Sequence, residues 1–290
     1  MNTNEARVLN RLTIKGLSVE RGGKPLLAGL NLEIAAGELF GLIGPNGAGK
    51  STLIKAMLQL LPYQGQIYLD AQPLTQMPVR ERARRLAYLS QDDRLQWPIS
   101  VRDLVALGRH PYRGSWWDKG LGVGLRGKAH LNTQAGAAAG ADERAIEAVL
   151  RATDLWSLRQ RRTDELSGGE RARARLARAL AVEAEVLLAD EPVAALDPMH
   201  QLRVMELLRE RCQAGQTLVV VLHDLTLASR FCDRLLLLDQ GVAVASGQVE
   251  TVLSSEHLAR VYGVQALIGE HQDGARRHRY IVPWRCVTGR

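Results

Sequence analysis

The sequence predicts an α/β fold built around a mostly parallel sheet. Two continuous apolar runs, "VLLAD" (186–190) and "TLVVVLHD" (217–224), lie on either side of a helical segment at 200–211. Strands that are apolar on every residue belong to sheets covered on both faces by helices. The glycine-rich stretch "GPNGAGKS" (44–51) joins an apolar run, "LFGLI", to a segment of helical period. That strand–turn–helix junction is where such sheets hold anions. At 290 residues, 46% of them hydrophobic, the chain has ample capacity for a buried core.

Taken in order, the chain opens with short runs of alternating apolar and polar residues: "RLTIKGLSVE", "LLAGLNLEI" and "GELFGLIG". Gly22-Gly23 and Ala36-Gly37 separate them, so they read as strands joined by turns. "STLIKAMLQLL" carries apolar residues at 53, 54, 57, 58 and 61, a helical period, with Pro62 as the expected stop. From Arg80 to Leu166 the pattern is mainly helical, apart from the short strand "LAYLS". In "SVRDLVALG", Ser100 is a candidate N-cap and Gly108 an end signal. Residues 113–141 are rich in glycine and alanine without a period, and are expected to form a mobile loop between two helices. "RLLLLDQGVAVASG" reads as two strands joined at Gln240-Gly241. There is no internal repeat.

Composition narrows the function. Cys212, Cys232 and Cys286 are odd in number and scattered, which fits neither a disulfide framework nor a zinc set and points to a reducing compartment. His271, His278 and Cys286 match no compact metal-ligand spacing. The amino terminus lacks a signal-peptide core, and no window approaches the roughly 18 apolar residues of a spanning helix. Any membrane role is therefore expected to run through partners. The net charge of +7, from 38 basic and 31 acidic residues, is concentrated in arginine clusters at 80–85, 159–162 and 276–279 and after Gly169. Such clusters can bind nucleic acid, but aromatic residues are not interleaved with them, and solvated helix faces are the simpler expectation.

"GPNGAGKS" matches G-x-x-x-x-G-K-[ST], and its strand and helix flanks are what a phosphate-binding loop requires. Residues Gly44, Pro45, Asn46, Gly47, Ala48 and Gly49 would aim backbone N–H groups into a concavity for phosphate oxygens. Lys50 would reach the terminal phosphates, the Ser51 hydroxyl would coordinate Mg²⁺, and Thr52 continues the helix. This predicts a nucleoside triphosphate site. "VLLADEP" ends a buried strand in Asp190 and Glu191, at the carboxyl edge where such sheets bind ligands. Asp190 suits the Mg²⁺ shell, and Glu191 can polarise an attacking water. His223 ends the next apolar strand at the same edge, a position that favours catalysis over a structural role.

One stretch remains unexplained by local structure. In "DELSGGERARAR" (164–175), Ser167 and Glu170 form a capping box at the start of a basic helix. Gly168 and Gly169 gain nothing there and cost about 1 kcal/mol each in helix propensity.

With "GPNGAGKS", "LSGGE" and "LLADEP" in that order, the chain resembles the ATP-binding subunits of ABC transporters over about residues 11–250. The resemblance implies a P-loop NTPase core, a RecA-like parallel sheet, with an N-terminal antiparallel β subdomain. It further implies an inserted α-helical subdomain at about 92–164 and leaves 251–290 as a C-terminal extension. It implies an ATP-hydrolysing sandwich dimer, each ATP held by the P-loop of one chain and the signature motif of the other. Gln91 in "YLSQDD" resembles the Q-loop residue that touches Mg²⁺. Leu166, Ser167, Gly168, Gly169 and Glu170 resemble the signature motif, Asp197 in "AALD" the D-loop residue, and His223 the switch histidine. Many members stack an aromatic residue on adenine before the first β-turn; here that point offers Arg21, which is either a guanidinium stacked on the base or a simple surface arginine.

"WPISVRDLVALGRHPYRG" resembles the subunits that power uptake of iron–siderophores, haem and cobalamin, and "ASGQVETVLSSEHLARVYGV" is similar to the same group. Trp97-Pro98 is expected either near the groove that receives the permease's coupling helix or in ordinary core packing. The resemblance implies an importer ATPase peripheral to the cytoplasmic face of the inner membrane. Its partners would be a membrane permease and, through it, a substrate-binding protein. Iron–siderophore is the first expectation for the ligand, with haem and cobalamin as alternatives. A soluble ATPase acting on nucleic acid is disfavoured, because the second cassette or long coiled-coil insertion of such relatives is absent. A non-hydrolysing regulatory subunit is disfavoured by the presence of Lys50, Glu191 and His223.

Overall fold

A computed structural model of the chain describes residues 10–91, 98–112, 133–274 and 276–287. Strands β1 (Asn10–Arg21) and β2 (Lys24–Ala35) form a hairpin that turns at Gly22-Gly23, with Arg21 opposite Lys24. The fully buried β3 (Leu39–Ile43) leads through the glycine-rich loop into α1 (Lys50–Met57). Strands β4 (Gln64–Leu69) and β5 (Gln72–Pro73) complete an antiparallel sheet of order β2-β1-β4-β5. Helix α2 (Val79–Arg85) feeds β6 (Leu86–Leu89). Helices α3 (Val101–Ala106), α4 (Thr133–Ala152) and α5 (Gly168–Leu180) follow. The chain then alternates: β7 (Val186–Asp190), α6 (Pro198–Gln213), β8 (Thr217–Val221), α7 (Leu225–Phe231), β9 (Arg234–Asp239) and β10 (Val242–Gln248). These strands build a six-stranded sheet of order β10-β9-β3-β8-β7-β6, parallel except for the β9–β10 hairpin. A last hairpin pairs β11 (Val264–Asp273) with β12 (Arg276–Cys286).

The continuous apolar strands are explained by the sheet's two faces. Alternate residues point to opposite sides, so Phe40, Leu42, Leu188, Val219 and Leu236 join the core shared with α1 and the antiparallel sheet. Their neighbours Leu39, Ile43, Leu187, Leu218 and Leu235 join the core on the other side, with residues of α3, α4, α5 and α6. Each fully buried side chain of this kind contributes about 1.5–3 kcal/mol relative to exposure.

Two expectations are corrected. Residues 133–141, expected to lie in a loop, are the first turns of α4. Alanine is the best helix former, so an alanine-rich stretch needs no apolar stripe to extend a helix anchored by Ile146, Val149 and Leu150 in the core. Residues 113–132 of that segment lie outside the described residues. Helix α1 ends at Met57, before Pro62: Gln59 takes a left-handed φ of +57°, and the Leu60 N–H donates to the Lys55 carbonyl at 2.9 Å. A Schellman-type end stops the helix, and no proline is needed.

Side chains join the layers. Arg11 donates to Asp70 (2.6 Å) and Glu185 (2.8 Å), and Arg85 pairs with the same two carboxylates, so four charges tie the antiparallel sheet to the start of β7. The buried Arg109 donates to Asp142 (2.8 Å), Glu183 (2.7 Å) and the Ala181 carbonyl (2.8 Å) while stacking on Tyr112. These arginines are thus engaged by the chain's own acids. The β11–β12 hairpin is fastened through Ile281, whose N–H and C=O both bond the Thr226 hydroxyl of α7 (3.1 and 2.8 Å). His271 faces His278 across this hairpin, while Cys286 pairs with Val264 at its far end, so the three tail residues do not converge.

Candidate nucleotide site

The parallel strands end together, and their carboxyl edge gathers the predicted residues. The loop of residues 44–49 leaves β3, Gln91 stands two residues beyond β6, Asp190 closes β7 and His223 stands two residues beyond β8. Register holds Leu42 and Asp190 to either side of Val221.

Local structure forms the loop. Gly44 has φ +144°, and a Cβ there would lie 2.1 Å from the Leu238 carbonyl oxygen, so this position demands glycine. The exposed tip, Asn46-Gly47, turns the chain back to Ala48, whose N–H donates to the Pro45 carbonyl at 3.2 Å. Gly49 then opens α1, so its first N–H groups and the positive end of its dipole face the loop. Lys50, 6% exposed, donates from Nζ to the carbonyls of Gly44 (2.7 Å) and Pro45 (2.8 Å). Burial pushes its ammonium below the ordinary lysine value, opposed by the Glu191 and Asp190 carboxylates. Thr52 is half-buried on the first turn.

The acidic side is equally close. The Ser51 hydroxyl donates to Asp190 Oδ1 at 3.2 Å. Asp190, 2% exposed, is pushed above the usual carboxylate range by burial, with the Ser51 hydrogen bond opposing and the Glu191 charge adding. Glu191 has φ +55°, a left-handed backbone that a glutamate adopts only under constraint, and its Oε1 lies 2.5 Å from His223 Nε2. Hydroxyl and carboxylate oxygens are the hard donors Mg²⁺ takes, so the Ser51–Asp190 pair fits that ion. Among the described residues, no group of three or more His, Cys, Asp or Glu side chains could hold a metal on its own. A Mg²⁺ here would share its shell with phosphate and water, as is usual for this ion.

The signature segment stands apart in one respect. Ser167 caps α5, its hydroxyl accepting from the Glu170 N–H (3.2 Å) while Glu170 Oε2 accepts from the Ser167 N–H (2.7 Å). That bond, first among its partners, holds the Glu170 carboxyl below the usual range. Leu166 is buried and its carbonyl accepts from Arg171 (2.7 Å). Neither following glycine has a left-handed φ. A Cβ on Gly168 would meet nothing within 4 Å, and one on Gly169 only ordinary contacts with Leu196 (3.6 Å) and Ala195 (3.9 Å), just before α6. The chain's own fold has no use for these glycines.

Asp197 caps α6, taking the His200 N–H (3.0 Å) and sitting 2.8 Å from His200 Nδ1; these bonds hold its carboxyl below the usual range. Gln91 is exposed, its carbonyl accepting from Arg175 at 3.1 Å. Arg21 ends β1 at an exposed hairpin tip, six residues before Leu27, whose side chain lies against Gly49. Pro98 is exposed, and Trp97 lies outside the described residues.

Gly241 was legible only as a turn. In three dimensions it is wedged under the loop: its N–H donates to the Ala48 carbonyl (3.0 Å), its carbonyl accepts from Ala28 (3.0 Å), and a Cβ would meet the Leu26 carbonyl at 2.5 Å. Nothing in its local sequence distinguishes it from any other hairpin glycine.

A family model described as ABC transporter matches residues 27–194. The chain belongs to the ABC transporter family. Relatives include the hemin import ATP-binding protein of Pseudomonas putida, 38% identical over 93% of this chain and 99% of the relative. That of Pseudomonas aeruginosa is 39% identical over the same shares. That of Streptomyces coelicolor is 40% identical over 85% of this chain and 81% of the relative. Among solved structures, an inward-facing metal-chelate type ABC transporter shares the fold with a TM-score of 0.75, 24% identity and coverage of 96% and 98%. A dimeric ATP-binding cassette in a post-hydrolysis state, bound to ADP and phosphate, has a TM-score of 0.68, 25% identity and coverage of 82% and 99%. The P-loop NTPase fold and the ABC ATPase activity read from the sequence are both shown by this membership. As an ABC ATPase, the chain binds ATP. No helix among the described residues is long and apolar enough to cross a membrane.

Proposed function

We propose that this chain is the ATPase subunit of a haem importer, working as a homodimer bound to a membrane permease on the cytoplasmic face of the membrane. The observation that carries the ligand is the 38–40% identity to hemin import ATP-binding proteins, which extends over 93% of the chain in two of them. It favours haem over iron–siderophore, the first expectation from the sequence, and over cobalamin. A substrate-binding protein would act through the permease, so no residue here needs to touch haem. In this reading residues 11–250 are the ATP-binding domain, 92–164 its helical insertion and 251–290 an extension.

Each residue then has a task. The N–H groups of residues 44–49 and the start of α1 cradle the phosphates, and Lys50 turns from its loop carbonyls to the terminal phosphate. Ser51, Asp190 and Gln91 hold Mg²⁺, which when bound offsets phosphate charge and polarises the γ-phosphoryl group. Glu191 takes a proton from the attacking water, and His223, 2.5 Å from its carboxylate, fixes which oxygen faces that water. Arg21 stacks on adenine. Ser167, Gly168 and Gly169 present α5's free N–H groups to the γ-phosphate bound by the partner subunit. That role accounts for two glycines the chain's own packing does not require.

Reconstitution tests the proposal. The chain and its permease, purified together into vesicles containing ATP, are offered labelled haem, ferric siderophore or cobalamin together with the substrate-binding protein. ATP-dependent uptake of haem alone is expected, and Lys50→Ala should abolish it. Uptake of ferric siderophore without haem would overturn the ligand, and failure to associate with any permease would overturn the transport role.

A further inference from the structure

We infer that Arg175 is a positioning residue for the Q-loop, holding Gln91 where it can reach Mg²⁺. The inference rests on the proposed role of Gln91. Arg175 lies on α5, eight residues and about 12 Å from Ser167. Its Nη1 donates to the Gln91 carbonyl at 3.1 Å. Ala174 and Leu176, on either side of it, are buried in the core, so the helix that carries the guanidinium cannot slide against β6. Gln91 itself has left the β6 ladder, whose last paired residue is Leu89 opposite Ala189. The ladder therefore does not orient its peptide, and the guanidinium supplies a fixed donor instead. A charged, planar donor makes a stronger and more directional bond to a carbonyl than a neutral one. Holding that carbonyl fixes the plane of the peptide after Gln91 and with it the direction in which the Gln91 side chain leaves the backbone. The same helix presents Ser167 and its neighbours at its start, so one rigid rod carries the signature segment and the brace of the Q-loop.

The variant Arg175→Met keeps an unbranched stem for packing and removes the donors. Affinity for a non-hydrolysable ATP analogue is measured by calorimetry on the full chain, with Mg²⁺ and again in EDTA, alongside Gln91→Ala and Arg175→Lys. Arg175→Met should weaken binding about three- to tenfold in Mg²⁺ and leave binding in EDTA unchanged. Arg175→Lys, whose ammonium can donate to the same carbonyl, should recover most of the loss. If Arg175→Met loses affinity equally with and without Mg²⁺, its role is only structural and the proposal falls. If Gln91→Ala shows the Mg²⁺-specific loss and Arg175→Met does not, the proposal falls while the Q-loop reading stands. If Gln91→Ala shows no such loss, the Q-loop reading fails and takes this proposal with it.

Discussion

Replacing Gly168 by alanine should make the protein more stable and less active. Gly168 is the first residue of α5, has an ordinary helical φ, and offers open space for a methyl group. Alanine there gains up to about 1 kcal/mol of helix propensity. It also removes unfolded-state freedom that costs a glycine about 0.4–1 kcal/mol. These overlap, and a terminal position realises only part of the propensity, so a net gain of about 0.5–1 kcal/mol is expected. For a chain of this size that raises Tm by about 1–4 °C. The same methyl group would sit against the N–H groups that, in the proposed dimer, a partner's γ-phosphate approaches. Losing one hydrogen bond to a charged group costs about 1.5–3 kcal/mol, or about 10- to 150-fold in turnover. Differential scanning calorimetry and a phosphate-release assay on the same preparation read both effects. A fall in Tm of more than about 2 °C would show that the fold itself needs this glycine, and wild-type turnover would remove the segment from the active site.

Glu170→Ala should lose about 0.5–1 kcal/mol at pH 7 by opening the capping box. Because the folded carboxyl lies below the ordinary glutamate value, that stabilisation is present above the ordinary value and is lost as pH falls through the depressed one. The gap between wild type and variant in urea denaturation should therefore close in acid; a gap unchanged at pH 3 would refute the assignment. Burial pushes the Cys212 thiol up to about 12 and the Cys232 thiol higher still, while Cys286 is exposed. A maleimide at pH 7 should label one thiol per native chain and three after denaturation; two native labels would contradict the burial of Cys212 on α6 and of Cys232 before β9.

Much of this was legible because required chemistry leaves dense local signals. "GPNGAGKS" needs particular residue types at particular spacings, and the fully apolar 186–190 and 217–221 announce a doubly covered sheet. The capping box at Ser167 and Glu170 is likewise local, and the structure forms both of its bonds. The start of α4 was not legible, since the period of apolar residues is silent where alanine alone sustains a helix. The end of α1 was misread because a left-handed Gln59 carries no strong sequence mark, whereas Pro62 does. Gly241 acts through Ala48 and Ala28, and Arg175 through Gln91, all far away in the sequence. No local pattern encodes such contacts, and they emerge only once β9 stands beside β3 and α5 lies across β6.

In the proposed dimer each ATP is held between two copies of the chain. Glu191→Gln should bind ATP, hydrolyse it slowly and accumulate as a dimer, read as molar mass by light scattering after gel filtration. With ATP the variant should elute at twice the chain mass, 31.9 kDa per chain, and with ADP as a monomer. A second substitution, Gly168→Ala, should return it to the monomer in ATP. A Glu191→Gln variant that stays monomeric in saturating ATP, or that hydrolyses at the wild-type rate, would contradict the account.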